Sequence, residues 1–114
     1  MRMWGINPKI MCRQHLLGEH AEMHMFMGCI KKGRSIRGYI KKGLVEVERI
    51  VDRHHQLVKE IIRRGYFHNS PLKDSNPKFL GRGILWREGI IDRPKNLDEL
   101  ISRCKYCKEL FIRG

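Results

Sequence analysis

Residues 45–64 carry the apolar pattern that most restricts how this chain folds. Their apolar side chains recur at the spacing of one face of an α-helix. Arg63 and Arg64 then suit the negative end of a helix dipole, and Gly65 follows where glycine commonly ends a helix. We predict a helix over about residues 45–64 that buries Val47, Ile50, Val51, Leu57, Val58, Ile61 and Ile62.

Two further helices are predicted towards the ends of the chain. Asn7 is a good N-cap and Pro8 suits a first helical turn, so one helix should run from about residue 8 to 30. Its apolar residues form a broad stripe rather than a coiled-coil seam: Ile10, Met11, Leu17, Met23, Phe26, Met27 and Ile30. The other helix should be capped by Asn96 and run to about Leu110.

Prolines and glycines punctuate the segment from Tyr66 to Pro94, where only a short strand or turn is predicted, around residues 84–86. No other stretch shows the alternation of a strand. We therefore predict an all-α fold, with residues 1–114 forming a single compact domain. It should have about three main helices and a long irregular segment before the last one.

The charge of the chain points to a polyanionic partner. Lys and Arg number 24 against 12 acidic residues, which gives a net charge of +12. Nucleic acid is favoured over acidic lipid as that partner. No apolar run approaches the ~20 residues of a membrane span. No signal peptide is evident, so we expect a cytoplasmic, nucleoid-associated monomer with no membrane contact.

The basic stretch at residues 31–43 concentrates this charge, with six cations, three glycines and no acids. Such a composition favours a loop over a helix. Glycines allow backbone amides to approach phosphate, and cations release counterions when DNA binds. We predict DNA contacts here, against the alternative of a solvated charge run, from Lys31, Lys32, Arg34, Arg37, Lys41 and Lys42.

One face of the first predicted helix combines His15, Glu19, Glu22 and Phe26, at helical spacing. His15 and Glu22 would lie about 10 Å apart along the axis, which suits two contacts along one substrate groove. The alternative is a solvent-facing surface with salt bridges. Met1 is a second candidate group near this face. Aminopeptidases remove Met only ahead of small residues, so Arg2 predicts that Met1 is retained, and its α-amine is a ready nucleophile near neutral pH.

The residues from Met1 to Phe26 resemble the pyrimidine-dimer DNA glycosylase family, whose type member is a phage endonuclease V. Arg2, the run Gln14-His15-Leu16, Glu19 and Glu22 match the family without a gap. A second match spans residues 53–72 and includes Glu60, Arg64 and Gly65. The resemblance covers about 70 residues and fades beyond Leu72.

This resemblance implies a reaction at the N-terminus that needs no cofactor and no metal. The amine of Met1 would attack C1′ of a damaged nucleotide, expel the base and form an imine, and Glu22 would support glycosyl cleavage and β-elimination. Arg2 and His15 would hold phosphate or sugar. Further DNA contacts are expected from Arg13, Gln14 and Arg64.

The chain also departs from the family. Met1 replaces a terminal threonine, and Ala21 and Met25 replace two arginines of the phage enzyme. The family's aromatic C-terminal tail has no counterpart, and Cys104-Lys105-Tyr106-Cys107 stands in its place. The lesion therefore stays open between pyrimidine dimers, another damaged base and a bare abasic site.

A metal site is the main rival interpretation. His20 and His24 are four residues apart and Cys104 and Cys107 form a CxxC pair, so together they have the composition of a two-His, two-Cys zinc site. The pairs are far apart in sequence and in an unusual order, and a CxxC pair alone can be redox-active or simply buried. We predict a glycosylase with abasic-site lyase activity on damaged or abasic double-stranded DNA. The alternative is a non-catalytic nucleic-acid-binding module, zinc-stabilised or not.

Overall fold

Helices α1 (Arg13–Lys31) and α3 (Ile50–Arg63) pack against each other and form the centre of the fold. The structure is a computed structural model and describes residues 1–67 and 90–114. The other helices are α2 (Arg37–Lys41), α4 (Arg93–Arg103) and α5 (Lys105–Arg113), with short 3-10 turns at Pro8–Ile10 and Val47–Arg49. Every regular element in the described ranges is helical, which confirms the predicted all-α fold.

The N-terminal helix begins later than predicted. Asn7 does act as a cap, but its side chain accepts a hydrogen bond from the Lys9 N–H (3.1 Å) and so caps only the 3-10 turn. Met11 and Cys12 then adopt extended backbone, and α1 starts at Arg13. The predicted helix from residue 8 is thus two elements, with a bend that brings Cys12 into the interior.

The basic stretch was predicted to be a loop, and it contains helix α2. Hydrogen bonds from Tyr39 N–H and Ile40 N–H to the Ile36 carbonyl start this helix. Ile36 and Ile40 are buried, so two apolar side chains one turn apart anchor a short helix despite the cations around them. Hydrophobic anchoring here overrides the poor helix propensity of the stretch.

Helix α3 ends as predicted, with Gly65 in the left-handed region at a φ of +84°. Its buried face differs from the predicted one. Arg53 and His54 lie inside, while Ile62 is 59% exposed. An arginine can occupy this position because a carboxylate on α1 neutralises it.

The C-terminal helix is also two elements. Asp92 caps α4 by accepting a hydrogen bond from the Lys95 N–H (3.1 Å), and Pro94 lies in the first turn. Asn96, predicted to be the cap, lies inside the helix with its side chain buried. Extended backbone at Cys104 then separates α4 from α5.

One hydrophobic core joins the N-terminal arm, α1, α3 and the C-terminal helices. Its largest fully buried apolar side chains are Met3, Met11, Leu16, Met23, Phe26, Met27, Ile50, Leu57, Ile61 and Leu100. Most of the predicted irregular segment, including the strand or turn near residues 84–86, lies outside the described residues. Among the helices that are described, none combines the length and the apolar character needed to cross a membrane.

Candidate functional site

The N-terminal arm, residues 1–6, is held against the helices by its backbone. The Met3 N–H donates to the Leu44 carbonyl (2.6 Å), and the buried Asn96 amide donates to the Trp4 carbonyl (3.0 Å). The Arg93 guanidinium donates to the Gly5 carbonyl (3.1 Å). The start of α4 therefore fixes the path of the arm and directs its first residues along α1.

Glu22 of α1 lies at the beginning of this arm. The Arg2 N–H donates a hydrogen bond to Glu22 Oε2 (3.1 Å), so the residue that carries the terminal amine adjoins this contact. Burial raises the pKa of Glu22, although the Arg2 N–H and the positive charge of the terminal amine both act to lower it. The structure thus brings together Met1 and Glu22, the two residues predicted to be catalytic.

The Arg2 side chain points to α4. Its guanidinium forms an ion pair with Glu99 and lies over the Trp4 ring, 4.3 Å from the ring centroid. Glu99 also accepts a hydrogen bond from Arg103 (2.6 Å), and the hydrogen bond from Arg2 lowers the pKa of Glu99. A phosphate at Arg2 would have to compete with Glu99 for the guanidinium.

Glu19 has a structural position, although it shares the predicted face of α1 with Glu22. It is 1% exposed and forms a two-point ion pair with Arg53, with distances of 2.5 and 2.9 Å. Arg53 also donates to the Ile6 carbonyl (2.7 Å) and the Gln56 side chain (2.6 Å). This face is therefore not a solvent-facing surface, although the salt bridge to an arginine that the alternative predicted is present.

His15 lies among cysteines. Its Nδ1 is 3.2 Å from Cys12 Sγ and 3.7 Å from Cys107 Sγ, and burial lowers the His15 pKa. Its ring meets the edge of Trp4, with centroids 6.2 Å apart. Trp4 thereby stands between His15 and Arg2, and a DNA contact of His15 stays a prediction.

The other predicted DNA contacts divide into exposed and engaged side chains. Arg13 and Gln14 are exposed, and the Arg13 guanidinium lies 5.2 Å from the Tyr66 ring centroid. Arg64 is tied to the protein, because it donates to Glu60 (2.6 Å) and to the carbonyls of Pro8 (3.0 Å) and Met11 (2.7 Å). A DNA contact of Arg64 would have to coexist with these bonds.

All six cations of the basic stretch are exposed: Lys31, Lys32, Arg34, Arg37, Lys41 and Lys42. They flank the C-terminal end of α1 and helix α2. Their placement on the surface is what a phosphate-binding role requires, and that role stays a prediction.

Two groups of side chains in the described ranges have ligand atoms within 4.8 Å of one another. One consists of Cys12, His15, Cys104 and Cys107, and the other of His20, His24 and His54. The rival interpretation, which paired His20 and His24 with the CxxC pair in one site, is therefore wrong. The bend at Cys12 brings Cys12 and His15 to the CxxC pair, whereas His20 and His24 face α3.

Comparison with known proteins identifies a family. The model of a family described as pyrimidine dimer DNA glycosylase matches residues 1–74, well over half of the chain. The match includes Met1, Arg2, Glu19 and Glu22, and it ends before α4 and α5. No curated protein and no solved structure matches the chain.

Proposed function

The chain belongs to the pyrimidine dimer DNA glycosylase family, and from this premise we propose that it is a glycosylase with abasic-site lyase activity. The amine of Met1 is the proposed nucleophile and Glu22 the proposed carboxylate. The substrate is double-stranded DNA that carries a pyrimidine dimer, a related lesion or an abasic site. A cytoplasmic location and a monomeric state remain predictions.

The proposed reaction has two stages at one sugar. The neutral amine attacks C1′, the glycosidic bond breaks, and the base leaves with the bonding electron pair. A proton then passes from the nitrogen to O4′ as the C1′–O4′ bond opens, which gives a protonated imine and a free O4′ hydroxyl. Removal of a proton from C2′ expels the 3′ phosphate, and water hydrolyses the imine to free the amine.

Glu22 has two roles in this scheme. As a carboxylate it stabilises the positive charge that builds on the sugar while the base leaves. It then accepts or relays protons in the imine stage. A half-buried carboxylate with a raised pKa suits the second role, since its pKa lies closer to neutral pH than that of an ordinary glutamate.

One observation supports the proposal most directly. The Arg2 N–H donates a hydrogen bond to Glu22 Oε2 (3.1 Å), and Arg2 directly follows Met1, which carries the terminal amine. The arm that carries Met1 is fixed by Leu44 and Asn96, so little chain entropy remains to be lost on reaction. The exposed basic stretch supports binding of the DNA backbone.

Borohydride trapping tests the imine. Untagged protein is incubated with abasic, thymine-dimer and undamaged duplexes, and reduced products are separated under denaturing conditions. We expect a covalent band on the abasic or dimer duplex, because borohydride reduces an imine to a stable amine. Peptide mapping of that band should locate the adduct at Met1.

Two variants make the test specific. Residues added ahead of Met1 convert its amine to an amide, which is not nucleophilic, and should abolish trapping. Glu22→Gln should lower turnover strongly, while Glu48→Gln, at an exposed acid outside the site, serves as the matched control. An adduct on a lysine would reject the Met1 mechanism, and no adduct together with salt-sensitive binding would support a non-catalytic module.

A further inference from the structure

Four side chains with metal-binding chemistry meet where the start of α1 faces the junction between α4 and α5. Cys12 precedes α1 and His15 lies in its first turn, while Cys104 lies at the junction and Cys107 in the first turn of α5. Their ligand atoms all lie within 4.8 Å of one another. We propose that they form a structural zinc site with three thiolates and one imidazole.

The distances between the ligand atoms fit a tetrahedral zinc ion. Zn–S bonds of about 2.3 Å and a Zn–N bond of about 2.0 Å place tetrahedral ligands roughly 3.5–3.8 Å apart. Cys12 Sγ is 3.8 Å from Cys104 Sγ, and His15 Nδ1 is 3.2 Å from Cys12 Sγ and 3.7 Å from Cys107 Sγ. Only small side-chain adjustments separate this arrangement from a coordination sphere.

The spacing along the chain supports the same conclusion. Cys12 and His15 are separated by two residues, and so are Cys104 and Cys107. Such spacing lets one turn supply two ligands to one ion and is typical of structural zinc sites. The Cys12 N–H also donates to Cys107 Sγ (3.1 Å), the kind of outer contact that orients a thiolate ligand.

A disulfide accounts for the cluster less well. All four cysteines of the chain are free, and the 3.8 Å between the sulfurs of Cys12 and Cys104 far exceeds an S–S bond of about 2.05 Å. A disulfide between any two of the thiols would not explain why the third thiol and the imidazole lie beside it. A single ion uses all four groups.

The zinc would fix the C-terminal helix to the rest of the fold. Helix α5 has nine residues and buries only Cys107. A helix this short is not stable alone in water, and its apolar burial is small. The same ion would hold the His15 ring against Trp4, on which Arg2 stacks, and so would support the N-terminal arm.

The test measures metal in the untagged full-length protein, purified with zinc present and then desalted. Mass spectrometry of the elements should find about one zinc per chain, as four ligands to one ion require. Cobalt(II) in place of zinc should give the strong near-ultraviolet sulfur-to-metal absorption and the visible bands of a tetrahedral thiolate site. Chelator should lower the melting temperature.

Matched variants locate the ion. Cys107→Ser should lose the zinc, whereas Cys29→Ser, which removes a half-buried cysteine of α1 outside the cluster, should keep it. His24→Gln, in the three-histidine group, should keep it as well. If Cys107→Ser does not fold, Cys104→His provides the second test, since a two-Cys, two-His set should still bind zinc.

Three results would overturn the proposal. The first is wild-type protein that binds neither zinc nor cobalt. The second is loss of zinc from His24→Gln with full retention in Cys107→Ser, which would move the ion to the histidine group. The third is a disulfide within the cluster, found by alkylation and mass spectrometry of protein purified without reductant.

Discussion

The guanidinium of Arg2 forms an ion pair with the carboxylate of Glu99, which lies 97 residues further along the chain. Arg2 lies inside the stretch that the family model matches, and Glu99 lies beyond it. The C-terminal helices therefore contribute directly to the candidate active site. The family resemblance implies that Arg2 contacts DNA, and in the absence of DNA this arginine is paired with Glu99.

Removal of the Glu99 charge should strengthen DNA binding. Glu99→Gln frees Arg2 for a phosphate, so the slope of log affinity against log salt should steepen by about 0.9. Fluorescence anisotropy at several salt concentrations measures that slope. Glu109→Gln makes the same charge change at an exposed position on α5, and an equal effect there would attribute the gain to net charge alone.

Replacement of Glu22 should separate chemistry from binding. Glu22→Gln keeps an oxygen that can accept the Arg2 N–H, so the arm should keep its path. We expect the single-turnover rate of base excision to fall by about 10²–10⁴-fold, the range of a lost acid–base group. The Kd for abasic DNA should change little. Full activity in this variant would reject the assignment of Glu22.

The same variant should alter the dependence of stability on pH. Burial raises the pKa of Glu22 in the folded protein, so the folded state favours the protonated form. The stability that this group contributes is thus present at acidic pH. It is lost as the pH rises from 4.5, the ordinary pKa of a glutamate, through the raised pKa of Glu22. Glu22→Gln should melt at a higher temperature than wild type at pH 7, with a smaller difference at pH 4. A difference that grows towards acid would contradict the raised pKa.

Glu19 should behave in the opposite way, although it lies on the same face of the same helix. Glu19→Gln leaves the buried Arg53 without its carboxylate, and we expect the free energy of unfolding to fall by about 3–5 kcal/mol. Urea denaturation measures this change. The double variant Glu19→Leu/Arg53→Met should recover much of the loss, because it leaves no unpaired charge. Failure of that recovery would show that the hydrogen bonds of Arg53 to the arm carry the stability.

Salt should weaken DNA binding steeply if the basic stretch contacts phosphates. For six phosphate contacts, an increase from about 50 to 200 mM salt should weaken binding by roughly 10³-fold. Lys41→Ala and Lys42→Ala should each reduce the slope by about 0.9 if their ammonium groups bind phosphate. A flat response to salt would remove the argument from charge, and unchanged slopes in both variants would move the contacts elsewhere.

Local sequence signals predicted much of the fold. The apolar spacing in α3 and the glycine after it gave the helix and its end correctly, because capping depends on neighbouring residues. The start of α4 was misplaced, since Pro94 was read as part of a loop although it lies in the first turn after the Asp92 cap. Proline is common both in loops and in the first turn of a helix, and here only the cap at Asp92 distinguishes the two cases.

Long-range partners could not be predicted from one sequence. The CxxC pair was recognised, but its histidine partner was not. Whether that partner is His15 or the pair of His20 and His24 depends on which part of α1 meets α5, more than 90 residues away in sequence. Arg53 was missed for the same reason, because its burial requires Glu19 on another helix. Met1 and Glu22 were predicted from the family pattern, whereas the contacts of the arm with Leu44 and Asn96 were not.

The anchoring of the Trp4 carbonyl by Asn96 also has a consequence for biosynthesis. The ribosome delivers the N-terminal arm first and the start of α4 more than 80 residues later. Until α4 emerges, the arm lacks its clamp and Arg2 lacks Glu99. A nascent chain with a complete family-matched stretch would therefore hold an unassembled site, which α4 completes only once that helix has been synthesised.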